Sequence, residues 1–373
     1  MKTEICDQFG IDFPLFAFSH CRDVVAAVTN AGGFGVLGGV AFRPDQLDQE
    51  LTWIDEQVKG KPYGVDIIVP AKYEGKGENL SFGQLAERIP EEFHSFVREL
   101  LAAHDIDVDD EPRIAPSSLG GDTGQSLLEI SLNHPIKLMA NALGVPPDYM
   151  IKAGKQTGIP VAALVGAKEH AIKQVNAGVD LIVAQGTEAG GHCGEVSTLV
   201  LVPEVIRAVR SVREVPVLAA GGIVTGAQMA AMMALGAAGA WTGSVWLMTA
   251  ESEVSPVLKE KFAAASSRDT VRSRSRTGKP ARQLRSAWTD AWEQPGNPGT
   301  LPMPLQIFLA DPALRRADVE ANKGDARARE LATYLVGQGV GLLDGVRPVR
   351  AVVQEFMEDF AAAAARLEDV VSA

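Results

Sequence analysis

The sequence predicts an α/β fold, a (β/α)8 TIM barrel with an insertion after the third strand and a helical C-terminal extension. Three observations predict it. Strand-length apolar runs recur eight times, helix-length stretches separate most of them, and the central runs are almost uninterrupted in apolar residues. Continuous apolar runs of this length belong to strands buried on both faces, as in a parallel sheet. Regular β–α alternation with eight strands fits a closed barrel better than an open doubly wound sheet.

The first run is Leu15–Ser19, followed by a helical stretch carrying Val24, Val25, Ala26, Val28 and Thr29. The second is Gly33–Gly38, with a helix expected over 44–58, and the third is Tyr63–Ile68. The remaining runs are Ile136–Asn141, Val161–Val165, Leu181–Gln185, Val215–Ala220 and Gly239–Ser244. Gly158 and Gly178 stand where helices end, because a left-handed C′ residue is cheapest as glycine. Residues 71–134 interrupt the pattern with a Gly/Lys/Glu-rich turn, a helix near 90–104 and an Asp-rich loop containing Pro112 and Pro116. The division expected is a barrel over 1–250, carrying that insertion, and an extension over 251–373. In the extension, Tyr334–Gly341 and Val349–Arg366 are expected to be helices that close the barrel.

A chain of 373 residues with 46% hydrophobic residues can bury a sizeable core. Its net charge of −12 repels nucleic acid and anionic membranes, so neither is expected as a partner. The three cysteines, Cys6, Cys21 and Cys193, form no CxxC pair, so no zinc site or disulfide framework is expected. No apolar stretch reaches about 18 residues and the N-terminus has no signal-type apolar segment; a cytoplasmic protein is expected. Whether it forms a homo-oligomer is not legible.

Two glycine-bearing strand ends carry the first chemistry. Ala220-Gly221-Gly222 ends the seventh run and Gly243-Ser244 the eighth. Loops after strands seven and eight of a barrel commonly hold a phosphate through backbone N–H groups. A pair of ordinary tight turns is the plain alternative. The next motif is Gln185-Gly186-Thr187-Glu188-Ala189-Gly190-Gly191-His192-Cys193-Gly194, after the sixth run. At the catalytic face of a barrel, His192 can move a proton near neutral pH. A surface histidine without a role is the alternative. Cys193 lacks an orienting partner in the sequence, so we do not read it as a nucleophile.

Glu188-Ala189-Gly190-Gly191-His192, with Ala220-Gly221-Gly222-Ile223 and Thr242-Gly243-Ser244, resembles the nitronate monooxygenase (2-nitropropane dioxygenase) family. Val28–Gly35, Pro62–Val65, Thr277–Arg282 and Gly337-Gln338-Gly339 support the resemblance. It implies FMN as cofactor, a small-molecule substrate, and His192 as base or electrostatic partner beside the flavin. It also implies that Ala17, Phe18 and Ser19 pass the flavin ring through backbone groups and that Asp66 sits at the ring's polar edge. Gln185 would contact the ring or ribityl chain, Gly190 and Gly191 would line the site, and Ala220, Gly221, Gly222, Gly243 and Ser244 would hold the phosphate.

The chain departs from the family in places. Phe16-Ala17-Phe18-Ser19-His20 stands where relatives usually carry a Pro-Met-Ala-Gly-like sequence, and Asp66 stands where they usually carry Asn. A carboxylate there disfavours an anionic reduced flavin unless it is protonated or paired. His20, at the end of the first run, is a candidate substrate contact; a residue at a helix start is the alternative.

Arg268–Arg285 is a basic stretch in an acidic protein. It can attract a phosphorylated partner such as NAD(P)H or a coenzyme A thioester, or it is a solvated loop paired with acids. Trp288 and Trp292, at helical spacing, read as packing residues. Three functions follow: oxidation of alkyl nitronates with O2; NAD(P)H-dependent flavin chemistry on an enone, enoyl thioester or quinone; or binding of a flavin without catalysis. The retained histidine disfavours the third.

Overall fold

The structure is a computed structural model that describes residues 2–69, 74, 82–107 and 121–372. The strands in chain order are β1 Leu15–Ser19, β2 Phe34–Gly38, β3 Tyr63–Asp66, β4 Leu138–Asn141, β5 Val161–Val165 and β6 Leu181–Gln185. They continue with β7 Gly191–His192, β8 Val217–Ala220, β9 Gly239–Thr242, β10 Thr270–Ser273 and β11 Ala281–Leu284. Eight of them close a barrel in the order β1-β2-β3-β4-β5-β6-β8-β9, with β9 pairing parallel to β1. All eight expected runs are barrel strands.

Two cores follow from side-chain alternation along the strands. Phe16, Phe34, Val36, Leu138, Leu181, Val183, Leu218 and Trp241 fill the barrel interior. The opposite faces pack against the surrounding helices in a second, larger cluster. Helix Glu4–Phe9 plugs the N-terminal end of the barrel. Its Phe9 ring meets Phe16 and Phe34 edge-on at 5.4 and 5.2 Å. The β9–β1 seam is held by side chains as well: Thr242 Oγ1 donates to the Phe16 carbonyl at 2.9 Å and accepts from the buried Trp246 indole at 3.0 Å.

The last helix, Val349–Ser372, packs against helices Gly226–Ala234 and Arg22–Asn30. It therefore fills the eighth helical position of the barrel, as expected for Val349–Arg366. Gly226 makes that approach possible, since a Cβ there would lie 1.8 Å from the Phe356 carbonyl oxygen. Burial of the Phe356 ring against Trp246 stabilises the closure by about 2–3 kcal/mol.

Three expectations are corrected. Residues Tyr334–Gly341 are not a closing helix; they run extended into a single 3-10 turn, Gln338–Leu342. Their glycines leave a helix weak, and the backbone is used instead for contacts to other loops. The extension is not purely helical, because β10 and β11 form an antiparallel hairpin. The alternation Ala281-Arg282-Gln283-Leu284, after a turn with Gly278 and Pro280, is its sequence signal. The basic stretch is accordingly a hairpin and not a loop. Within the insertion, helix Glu91–Ala102 forms as expected. The Gly/Lys/Glu-rich turn (Glu74 apart) and the loop with Pro112 and Pro116 lie outside the described residues.

Candidate active site

Alternation along the strands decides which side chains face into the barrel mouth. Phe16, Val36, Leu138, Val183 and Leu218 point inward, so Phe18, Gly38, Ala140, Gln185 and Ala220 form the next inward layer. On β3 the inward residue Gly64 packs against Leu138 and Phe34, which turns Asp66 inward too. The floor of the mouth is therefore aromatic and apolar, with Phe18 stacked near Trp241 at 6.5 Å. Asp66 and Gln185 stand on it as isolated polar groups.

The far side of the mouth is built from backbone. Gly221 and Gly222 follow β8 with φ of 105° and 72°, conformations that L side chains rarely adopt. Glu188 braces this crest. Its carboxylate accepts from Thr198 N at 2.9 Å and from Thr198 Oγ1 at 2.8 Å, while Thr198 Oγ1 also lies 3.0 Å from the Gly221 carbonyl. Glu188 thus caps helix Thr198–Arg210 and ties it to the end of β8. Behind β9, Gly337 N donates to Ser244 Oγ at 2.8 Å, and Gln338 N donates to the Glu188 carbonyl at 2.8 Å. The 337–339 loop joins both crests. Thr198, Glu188 and this loop as braces were not foreseen. At Gly191 and Gly243 a Cβ would meet nothing, so those backbone positions face open space.

His192 sits on β7, which β11 pairs through Ala281, in a three-stranded sheet ordered β10-β11-β7. Its Nδ1 lies 3.3 Å from the Pro280 carbonyl. A carbonyl only accepts, so Nδ1 carries the proton and Nε2 presents a lone pair. Burial is the main cause that lowers the imidazole to about 4, against a raising contribution from the Pro280 bond; nearby Lys279 lowers it further. The ring is neutral at pH 7. Cys193 donates weakly to the Thr187 carbonyl at 3.5 Å, and burial pushes its thiol up, so it is no thiolate nucleophile.

His20 stands across the mouth. Its Nδ1 lies 3.0 Å from the Gly38 carbonyl, which leaves Nε2 unprotonated, and its ring meets Phe18 edge-on at 5.1 Å. Burial lowers its pKa, the Gly38 bond opposes that, and Arg276 adds to the lowering. Arg276 itself is turned inward, 3.4 Å from Asp311 and over the Tyr334 ring at 5.3 Å. Ser19 is occupied locally, with Oγ accepting from Cys21 N at 3.0 Å. Ala17 is fully buried against the helices and offers the mouth only its backbone. Asp66 is 2% exposed, and its Oδ1 has no partner. Burial alone pushes its carboxyl up to about 7.

The basic hairpin is mostly spent on the fold. Arg282 Nε donates to the Thr187 carbonyl at 2.8 Å, Arg272 pairs with Glu195, and Arg285 pairs with Asp290. A cavity of about 360 Å3 lies at the turn end of the hairpin and not in the barrel mouth, between Arg272, Arg274, Pro280 and Trp292. Trp288 and Trp292 are buried packing residues, as expected. Among the described residues no helix is long and apolar enough to cross a membrane.

Comparison with known proteins agrees with this geometry. A family model described as nitronate monooxygenase matches residues 2–359. A Mycobacterium tuberculosis protein described as a monooxygenase is 52% identical, with all of both chains covered. A nitroalkane oxidase from Streptomyces ansochromogenes superposes with a TM-score of 0.78 at 25% identity, covering 98% of this chain and 100% of that one. FabK from Thermotoga maritima superposes with a TM-score of 0.72 at 28% identity, covering 99% of each. With its closed barrel, braced glycine crests and neutral imidazole at the mouth, the chain belongs to the nitronate monooxygenase family and is an FMN-dependent oxidoreductase.

Proposed function

We propose that this chain oxidises small alkyl nitronates with O2 as the final acceptor, using FMN held in the barrel mouth. The observation that supports the reading is His192, on the loop after β6, whose Nδ1 is held by the Pro280 carbonyl so that Nε2 is left unprotonated. The residues present fit the cofactor. Backbone at Gly221, Gly222, Gly243 and Ser244 suits the phosphate, and the open backbone at Gly191 and Gly243 leaves room for it. Gly190 and Gly191 line the same edge, and Gln185 suits the ribityl chain. Ala17, Phe18 and Ser19 offer backbone to the ring, whereas Asp66 offers a buried polar side chain whose Oδ1 has no partner among the described residues.

When bound, FMN supplies a two-electron acceptor. His192 Nε2, unprotonated in this tautomer, would accept a proton as the substrate is oxidised. His20, on the opposite wall and also neutral, presents a second acceptor nitrogen to the substrate. The aromatic floor excludes water beneath it.

A second reading is NAD(P)H-dependent reduction of an enone, enoyl thioester or quinone. It draws on the likeness to FabK and on Arg274, an exposed guanidinium in the cavity beside Pro280. An anaerobic donor screen separates the two. Fast bleaching of the flavin by the anion of 2-nitropropane supports the first reading. Bleaching by NADH or NADPH, with none by the nitronate, would replace it with the second.

A further inference from the structure

Asp66 poses a problem that the fold itself does not solve. Among the described residues, its Oδ1 is the only carboxylate oxygen that is buried without a hydrogen-bond partner. The neighbouring strands cannot supply one. β3 is flanked in register by Gly38 on β2 and Ala140 on β4, neither with a polar side chain. The Ala140 carbonyl already accepts from Ile67 N at 2.8 Å. Asn141 is turned to its own loops, accepting from Val69 N at 2.8 Å and donating to the Gly144 carbonyl at 3.1 Å.

Charge does not solve it either. Among the described residues, the titratable groups around the mouth are His20 beyond Gly38, Arg276 behind His20, and His192 with Lys279 on the hairpin side. None of them contributes to the Asp66 shift, which arises from burial alone and brings the carboxyl to about 7. An ionised, unpaired carboxylate with 2% exposure is far costlier to bury than a neutral acid. The neutral acid in turn has one O–H that requires an acceptor. Among the described residues no acceptor meets it, and the alternation along β3 turns the side chain toward the barrel mouth.

We propose that Asp66 serves as a neutral carboxylic acid that donates its O–H to an acceptor atom of the bound flavin ring, so that its ionisation weakens the hold on FMN. This deepens the FMN reading and rests on it. The polar edge of an isoalloxazine presents two carbonyl oxygens and N1, which accept such a bond, beside one donor, N3–H; Asp66 is assigned to the acceptors. The ionised form would turn two acceptors toward those same atoms. Asp66 is thus a positioning residue that makes cofactor binding sensitive to pH near neutrality.

The test uses the full chain stripped of flavin and titrated with FMN between pH 6 and pH 9, followed by quenching of flavin fluorescence. Wild-type affinity is expected to fall by up to about tenfold per pH unit above pH 7. Asp66→Asn, whose amide donates at every pH, is expected to lose that limb. The FMN phosphate titrates identically in both proteins, so the difference between the curves belongs to Asp66. Asp66→Leu, unable to donate or ionise, is expected to bind weakly with the flat profile of the Asn variant. In the infrared, the wild type at pH 6 should show a protonated-carboxyl band that Asp66→Asn lacks. Parallel binding curves for wild type and Asp66→Asn would overturn this inference alone. Failure of all three proteins to bind FMN at any pH would overturn the FMN reading, and this inference with it.

Discussion

The two halves of the barrel mouth are built on opposite plans. From β6 round to β9 the rim is backbone: Gly190, Gly221, Gly222 and Gly243, braced by Glu188, Thr198 and the 337–339 loop. From β1 to β3 it is side chain: Phe18 against Trp241, His20 held by the Gly38 carbonyl, and Asp66, whose Oδ1 has no partner among the described residues. A backbone crest offers fixed N–H donors and no titration, which suits a permanent anionic ligand. Isolated buried side chains offer tunable charge and shape, which suits discrimination and proton handling. His192 belongs to neither plan. It is brought to the mouth by a separate sheet that the extension supplies.

The sharpest way to break this contrast is at the backbone crest. Gly221→Val is expected to abolish FMN retention. A Cβ there meets Thr198 Oγ1 at 2.8 Å and the Gly186 carbonyl oxygen at 3.0 Å, on top of a φ of 105°. Backbone strain alone costs about 1–3 kcal/mol. Purification of a yellow variant with normal FMN content would contradict the assigned role of the crest. Next in size is His192→Asn, expected to keep FMN while kcat falls about 10²–10⁴-fold. Unchanged kcat with bound flavin would remove His192 from the chemistry.

The third prediction sets the two walls against each other through pH. The folded-state pKa of Asp66 is raised, so its stabilising contribution is complete below about 3.8 and is lost as pH rises through about 7. Asp66→Asn should therefore raise Tm at pH 8 and leave it little changed at pH 4, with a ceiling of about 4 kcal/mol. The folded-state pKa of His192 is lowered, so its contribution is complete above 6.5 and is lost as pH falls through about 4. His192→Asn should flatten that acid limb. Melting curves across pH that coincide for wild type and both variants would dissolve the distinction. The smallest effect is expected from Glu188→Ala, which removes the cap on Thr198 and should cost about 1–2 kcal/mol in chemical denaturation. A variant of unchanged stability would show that the crest does not depend on its brace.

Much of this was legible because barrels announce themselves locally. Each strand is a short apolar run, and Gly158 and Gly178 end their helices in left-handed conformations at φ 72° and 101°, as glycine at those places foretells. The Glu188–His192 element and the glycines after β8 and β9 were likewise visible as sequence. What stayed hidden depends on pairings between distant segments. Tyr334–Gly341 resembled a helix by its residues, yet it is held extended by bonds to Leu284, Ser244 and Glu188. The arginines of 268–285 looked like a solvated charge run, yet Arg282 and Arg276 are committed to inward partners.

The sequence by itself determined the barrel, because alternation and apolar runs act within a few residues of chain and bury the same faces wherever the neighbours lie. It also determined the family, because the glycine and histidine motif is contiguous. The tertiary structure alone decided which ring nitrogen of His192 carries the proton, that Asp66 Oδ1 is stranded without a partner among the described residues, and how closely the last helix packs. Those properties depend on a carbonyl 88 residues away, on the emptiness of two adjoining strands, and on a glycine that admits Phe356. A hydrogen bond or its absence is set by three-dimensional neighbours, and no local pattern encodes them.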